Sequence, residues 1–169
     1  MKRIIGIICG LLVCWSLGAQ DLFEKIKAAN MPKESLRAQW HQVKHSTLLV
    51  EDLVSDGKVY LQQPERLRWE TTSPIQSVSV MAPGRASGRF RLPTEMDFEI
   101  TVLQGEEYIV RLTPLRRDLK QMMGQIALHV DPATLKLRYL MITSPEGDWT
   151  RIEFSNVETE IPLPETLFE

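Results

Sequence analysis

The chain has 169 residues, enough for one domain with a substantial apolar core. Charged residues make up 25% and the formal net charge is −2, which excludes a disordered polyelectrolyte and leaves no electrostatic footprint for nucleic acid. Ten prolines and nine glycines, spread along the chain, fit many turns between short strands.

The first segment has the pattern of an export signal. Lys2 and Arg3 are followed by an uncharged, mostly apolar run from Ile4 to Leu17, too short for an ordinary spanning helix. Leu17-Gly18-Ala19 ends on a small residue, so cleavage is predicted before Gln20, with residues 1–19 as signal peptide and 20–169 as one mature domain. Both cysteines, Cys9 and Cys14, lie in the signal, which leaves the mature chain without a disulfide, a thiol nucleophile or a thiolate metal site. The bulky Val13 before Cys14 argues against lipid attachment there, so a soluble periplasmic protein is expected. Loss of Lys2 and Arg3 leaves 18 basic against 22 acidic residues.

A short helix is predicted from Asp21, as its cap, to Asn30, with Leu22, Phe23, Ile26 and Ala29 as the apolar stripe. Met31-Pro32 ends it. A long strand follows over 35–47, where Leu36, Ala38 and Trp40 alternate with Arg37, Gln39 and His41. Strands over 57–63, 66–73 and 75–82 are separated by Pro64 and Pro74. The residues from Ala82 to Gly88 read as a loop, and Phe90–Leu92 as a short strand. Phe98, Ile100 and Val102, then Tyr108, Val110 and Leu112, form a hairpin around Gln104-Gly105. A helix is predicted from Leu115 to Gly124, with Leu115, Leu119, Met122 and Met123 on one face. Strands over 126–130, 135–143 and 149–157 close the chain. About ten strands and two helices define a mainly β, α+β class: one strongly curved antiparallel sheet.

Chemistry is sparse. His41 and His45 on a strand would lie ~13 Å apart, and no third ligand stands at metal spacing. Gly84-Arg-Ala-Ser-Gly88 lacks the spacing of a serine elbow. Phosphate-loop and dinucleotide fingerprints are absent from the sequence. No catalytic, metal or cofactor role is predicted, and the protein is not expected to be an enzyme.

Five segments, in order, resemble the outer-membrane lipoprotein carrier (LolA) family. They are Leu36-Arg-Ala-Gln-Trp-His-Gln42, the Gly57–Glu70 stretch with its Pro64-Glu-Arg-Leu-Arg-Trp-Glu70, and Tyr108-Ile-Val-Arg-Leu-Thr-Pro114. Asp118-Leu-Lys-Gln121 and Gly147-Asp-Trp-Thr-Arg-Ile-Glu-Phe-Ser-Asn156 complete the series. The resemblance implies a half-open β-barrel with short helices over its mouth and an apolar cavity between. It also implies acylated lipoproteins as cargo, an inner-membrane ABC transporter as donor, and an outer-membrane acceptor, either a protein or the membrane itself. A monomer without nucleic-acid partners is expected. A sensor or carrier of another acylated cargo, or a filled structural domain of the envelope, are the alternatives.

Candidates for the cargo-binding wall are Trp40, Leu67, Trp69 and Val80 in the first half, and Phe98, Val110, Leu128 and Phe154 in the second, each expected on the apolar face of its strand. Met122 and Met123 are candidates for soft lid contacts. Gln63 stands where the family often has an arginine that ties down the lid, so a differently held lid is expected. The central insertion is short, with about fifteen residues between Arg91 and Glu107, so the cover should come from the two helices alone.

Overall fold

The computed structural model describes residues 18–82 and 94–169. The predicted Phe90–Leu92 strand, the Gly84–Gly88 segment and most of the predicted export signal lie outside them.

Helix α1 occupies residues 18–30. It is followed by β1 (Ser35–His45), β2 (Leu53–Gln62), β3 (Arg66–Ser73) and β4 (Ser77–Met81). The second half contains β5 (Phe98–Leu103), β6 (Tyr108–Pro114), α2 (Arg117–Met122), β7 (Gln125–Val130), β8 (Leu137–Thr143) and β9 (Trp149–Thr159). Two 3-10 turns, Glu95–Asp97 and Glu165–Phe168, precede β5 and end the chain.

All strands join one sheet in the order β4-β3-β2-β1-β9-β8-β7-β6-β5, with every pairing antiparallel. Two meanders therefore run outward from a central pair, β1 and β9. These are the longest strands, at 11 residues each, because each is paired on both sides along most of its length. β4 and β5 are the two edges and do not pair with each other, so the sheet stays open.

Some boundaries differ from the sequence reading. β2 begins at Leu53 rather than 57, because pairing of Val54 with Val43 extends a segment whose Ser55 and Asp56 break the apolar alternation. β8 begins at Leu137, because Leu135 adopts φ 57° and closes a turn in which its N–H donates to the Asp131 carbonyl. In the unprocessed chain Asp21 lies inside α1, which is already helical at residue 18, so it is not the cap there. α2 is shorter than predicted: Leu115 lies outside it and is exposed, as is Met122, while Leu119 alone is buried on it.

Candidate functional site

Register decides which side chains share a face, because cross-strand partners point the same way. The clearest row runs Val102–Val110–Leu128–Leu140–Ile152–Gln42 across β5, β6, β7, β8, β9 and β1. A second runs Phe154–Trp40–Gly57–Thr71, and a third Ala38–Val59–Trp69–Ser79. Their neighbours Leu36, Leu61 and Leu67 continue the pattern. One side of the open sheet is thus largely apolar from β5 to β3, broken by Gln42 and Thr71, and gives way to Ser77 and Ser79 on edge strand β4.

Seven of the eight candidate wall residues lie on this face: Trp40, Leu67, Trp69, Phe98, Val110, Leu128 and Phe154. Val80 does not. It pairs with Arg68 on the opposite, polar face, because β4 enters the sheet with Ser77, Ser79 and Met81 inward. Alternation in Ser77-Val-Ser-Val-Met81 invites placing the valines inside; the register places them outside.

The face divides into two packed groups. In one, Ala38, Trp40, Val59 and Ile152 are buried, with Leu36, Leu67, Trp69, Leu140 and Phe154 half-buried around them. The Trp40 ring lies against Gly57, where a Cβ would come within 2.5 Å of ring atom Cε2. Its indole N–H donates to the Lys58 carbonyl at 3.2 Å. Trp69 stacks on it with centroids 4.8 Å apart, and Phe154 meets Trp69 edge-on at 6.4 Å. Gly57 and Trp69 thus belong to one device: the glycine makes room for one indole and the second indole covers it.

In the other group, α1 lies on the β5–β8 half. Ile26 packs with Val110 and Val130, both fully buried, while Leu22 and Phe23 add the flanks of the predicted stripe. Polar contacts fix the helix in place. Asn30 Nδ2 donates to the carbonyls of Ile26 and Leu135, each at 2.7 Å, and its Oδ1 accepts from the Leu137 N–H at 2.8 Å. Lys27 forms an ion pair with Glu95, which raises the lysine pKa, chiefly through that hydrogen bond. No sequence pattern pointed to Asn30; its position at the end of the helix stripe was the one available signal.

The predicted lid residues are not grouped. Gln63 sits at the β2–β3 turn, where its N–H donates to the Glu34 carbonyl in the α1–β1 connection. Met122 and Met123 are at the far end of the strands, on and just after α2, with Met122 exposed and Met123 half-buried.

The outer face is polar and closed by local pairs. His41 is 2.7 Å from Asp56, His45 2.7 Å from Asp52, and His129 2.8 Å from Glu107. Each histidine has its own carboxylate, and no group of three metal-ligating side chains forms among the described residues. Asp148 ties the β1–β2 and β8–β9 hairpins together. It accepts from Ser46 Oγ at 2.7 Å and from the Thr47 N–H at 3.0 Å, and these bonds hold its carboxyl below the usual carboxylate range.

An open antiparallel sheet with one largely apolar side and a helix across part of it is similar in fold to solved proteins of the LolA superfamily. A LolA superfamily protein from Nitrosomonas europaea matches over 89% of this chain and 97% of its own, with a TM-score of 0.52 at 13% identity. MucB matches over 90% of this chain and 62% of its own, with a TM-score of 0.50 and 13% identity. Among curated proteins, the outer-membrane lipoprotein carrier protein of Francisella tularensis subsp. novicida is 24% identical over the whole chain and 92% of its own length. No family model matches the chain. The resemblance read in the sequence is borne out, as is the expected fold in its main lines, a single open antiparallel sheet with a few short helices.

Proposed function

We propose that the chain is a periplasmic carrier that receives the acyl chains of lipoproteins on its apolar sheet face. It collects them from an inner-membrane ABC transporter and delivers them to the outer membrane. It works by binding and release, without covalent chemistry. The observation that carries this reading is the largely apolar face on a sheet whose edges do not close. The similarity to a lipoprotein carrier supports it. Acyl chains leave water at ~0.8 kcal/mol per CH₂, so a greasy, adaptable surface is what such cargo needs. Among the described residues, no helix is long and apolar enough to cross a membrane.

Burial indicates an order of engagement. Leu67, Trp69, Leu140 and Phe154 are only half-buried and are the first contacts. Val110 and Val130, at 0% exposure, become available only when α1 lifts. Cargo therefore displaces α1, exchanging the Ile26 contacts for acyl contacts.

The test is binding of a triacylated peptide to native protein and to Leu67→Glu, with thermal melts of both. A carboxylate facing acyl chains must be desolvated or neutralised, so affinity should fall while the fold survives. Collapse of stability with no intermediate binding defect would instead assign the face to a filled structural core. Depletion in cells should mislocalise lipoproteins rather than other envelope components.

A further inference from the structure

The antiparallel topology sends the β1–β2, β3–β4, β6–β7 and β8–β9 connections, and the turn before β5, to the same rim of the half-barrel. Among the described residues, thirteen large apolar side chains are strongly exposed, and ten of them stand on this rim. Leu48 and Val50 cap the β1–β2 hairpin at 91% and 102% exposure; Ile75 caps β3–β4 at 78%. Met96 precedes β5 at 85%, and Leu115 and Met122 flank the β6–β7 connection at 53% and 63%. The opposite end and the edges share only Met31, Leu103 and Val157. Strands spaced ~4.8 Å apart set these loops along an arc rather than in one patch.

We propose that this rim is a docking surface for a neutral, zwitterionic phospholipid bilayer. Three features select that occupant. The side chains are convex tips on separate loops, so a protein partner would need several matched pockets, whereas a fluid apolar layer takes all of them at once. The charges between them show no basic excess: Lys44, Arg116, Arg117 and Lys120 stand among Glu51, Asp52, Asp118, Glu146 and Asp148. A surface that sought anionic lipid would carry a basic excess. The β1–β2 tip is also built rather than loose, since Asp148 holds Ser46 and Thr47 at its base and Trp149 stacks on His45 beside it at 5.4 Å. An aromatic ring at that height suits the headgroup level.

Docking needs only the rim; its use in delivering cargo rests on the carrier reading. The rim borders the apolar face, so a docked protein brings the end of that face to the membrane surface. Insertion of the rim would let acyl chains pass from sheet to bilayer without crossing water.

The experiment is co-flotation with phosphatidylcholine vesicles, using protein purified from the envelope of expressing cells so that N-terminal processing has taken place. Native protein should float. The triple variant Leu48→Ser/Val50→Ser/Ile75→Ser should lower the bound fraction at least tenfold with an unchanged melting curve, because these side chains are exposed. Leu103→Ser/Val157→Ser, away from the rim, should change it less than twofold. An environment-sensitive dye on Val50→Cys should shift to the blue on vesicle addition, and one on Val157→Cys should not. Native protein that stays off neutral vesicles overturns the proposal, as does equal flotation of the triple variant. Flotation only with anionic vesicles, or rim-dependent dimers in sedimentation, would also overturn it. Triacyl-peptide binding, measured in solution on the same variants, separates the two readings: the triple variant should retain it. Loss of peptide binding by the native chain would sink the carrier reading and leave the vesicle result standing.

Discussion

Replacing Gly57 by alanine tests the geometry at the centre of the apolar face. A Cβ at this position would overlap the Glu70 carbonyl oxygen on β3 and lie within 2.5 Å of ring atom Cε2 of Trp40. Neither neighbour yields easily. The oxygen belongs to a paired strand, and Trp40 is 3% exposed with Trp69 stacked on it. Overpacking of this kind costs about 1–3 kcal/mol, and displacing the ring also endangers its hydrogen bond to the Lys58 carbonyl, about 1 kcal/mol more. A loss of about 2–4 kcal/mol is expected, read as a melting temperature lower by roughly 5–15 °C for a domain of this size. Urea unfolding followed by tryptophan fluorescence measures it, with near-ultraviolet circular dichroism reporting the Trp40–Trp69 stack. In the double variant Trp40→Leu/Gly57→Ala, the ring clash is gone, so its cost should be less than the sum of the two single changes. An alanine costing under about 0.5 kcal/mol, within the range of an ordinary surface change, would refute the close approach.

Three further outcomes are expected. Asn30→Ala removes the polar contacts between α1 and the β7–β8 turn, so hydrogen exchange in residues 18–30 should quicken severalfold with the central strands unchanged; equal effects on helix and sheet would deny it a strapping role. In native protein without cargo, residues 18–30 and α2 should exchange faster than β1 and β9, and a triacylated peptide should alter protection in α1 most, whereas uniform strong protection would mean that the face stays shut. Asp148 has a folded pKa below the ordinary 3.8, so its bonds stabilise the fold above that value and are lost as pH falls through the folded pKa; Asp148→Asn should weaken the protein at pH 7 and cease to differ from native in acid, and a stability gap that persists unchanged in acid would contradict the assignment.

Period-two alternation made most of the architecture legible, because a half-exposed strand writes its burial directly into the chain. Nine of the ten predicted strands correspond to observed ones, and the tenth lies outside the described residues. Pairing order was less accessible. The sequence shows a meander, but not that β1 and β9 meet at its centre, since that contact joins residues more than a hundred positions apart. Val80 failed for a related reason. Alternation states that Ser79 and Val80 face opposite ways, and only the register with Trp69 and Arg68 states which way is in. Asn30 and the rim were illegible for a different reason: their meaning depends on which loops share an end of the sheet.

That dependence joins the two proposals. An open sheet with one apolar side would ordinarily be a liability, and this chain covers the β5–β8 half with α1 while the Trp40–Trp69–Phe154 group covers much of the other half by stacking on itself. The covers differ in kind. The aromatic group is fixed from beneath by Gly57 and by the indole hydrogen bond to Lys58, so its shape is set by the sheet itself. The helix is held by an apolar stripe, by Asn30 and by the Lys27–Glu95 pair, contacts that can be exchanged one set for another. A carrier needs both: a permanent surface that recognises acyl chains and a removable one that keeps the rest of the face dry until they arrive. With the exposed apolar tips gathered on one rim, removal of the helix would be favoured where an apolar phase is close at hand. Loading and release could then follow position in the envelope without any change in covalent state.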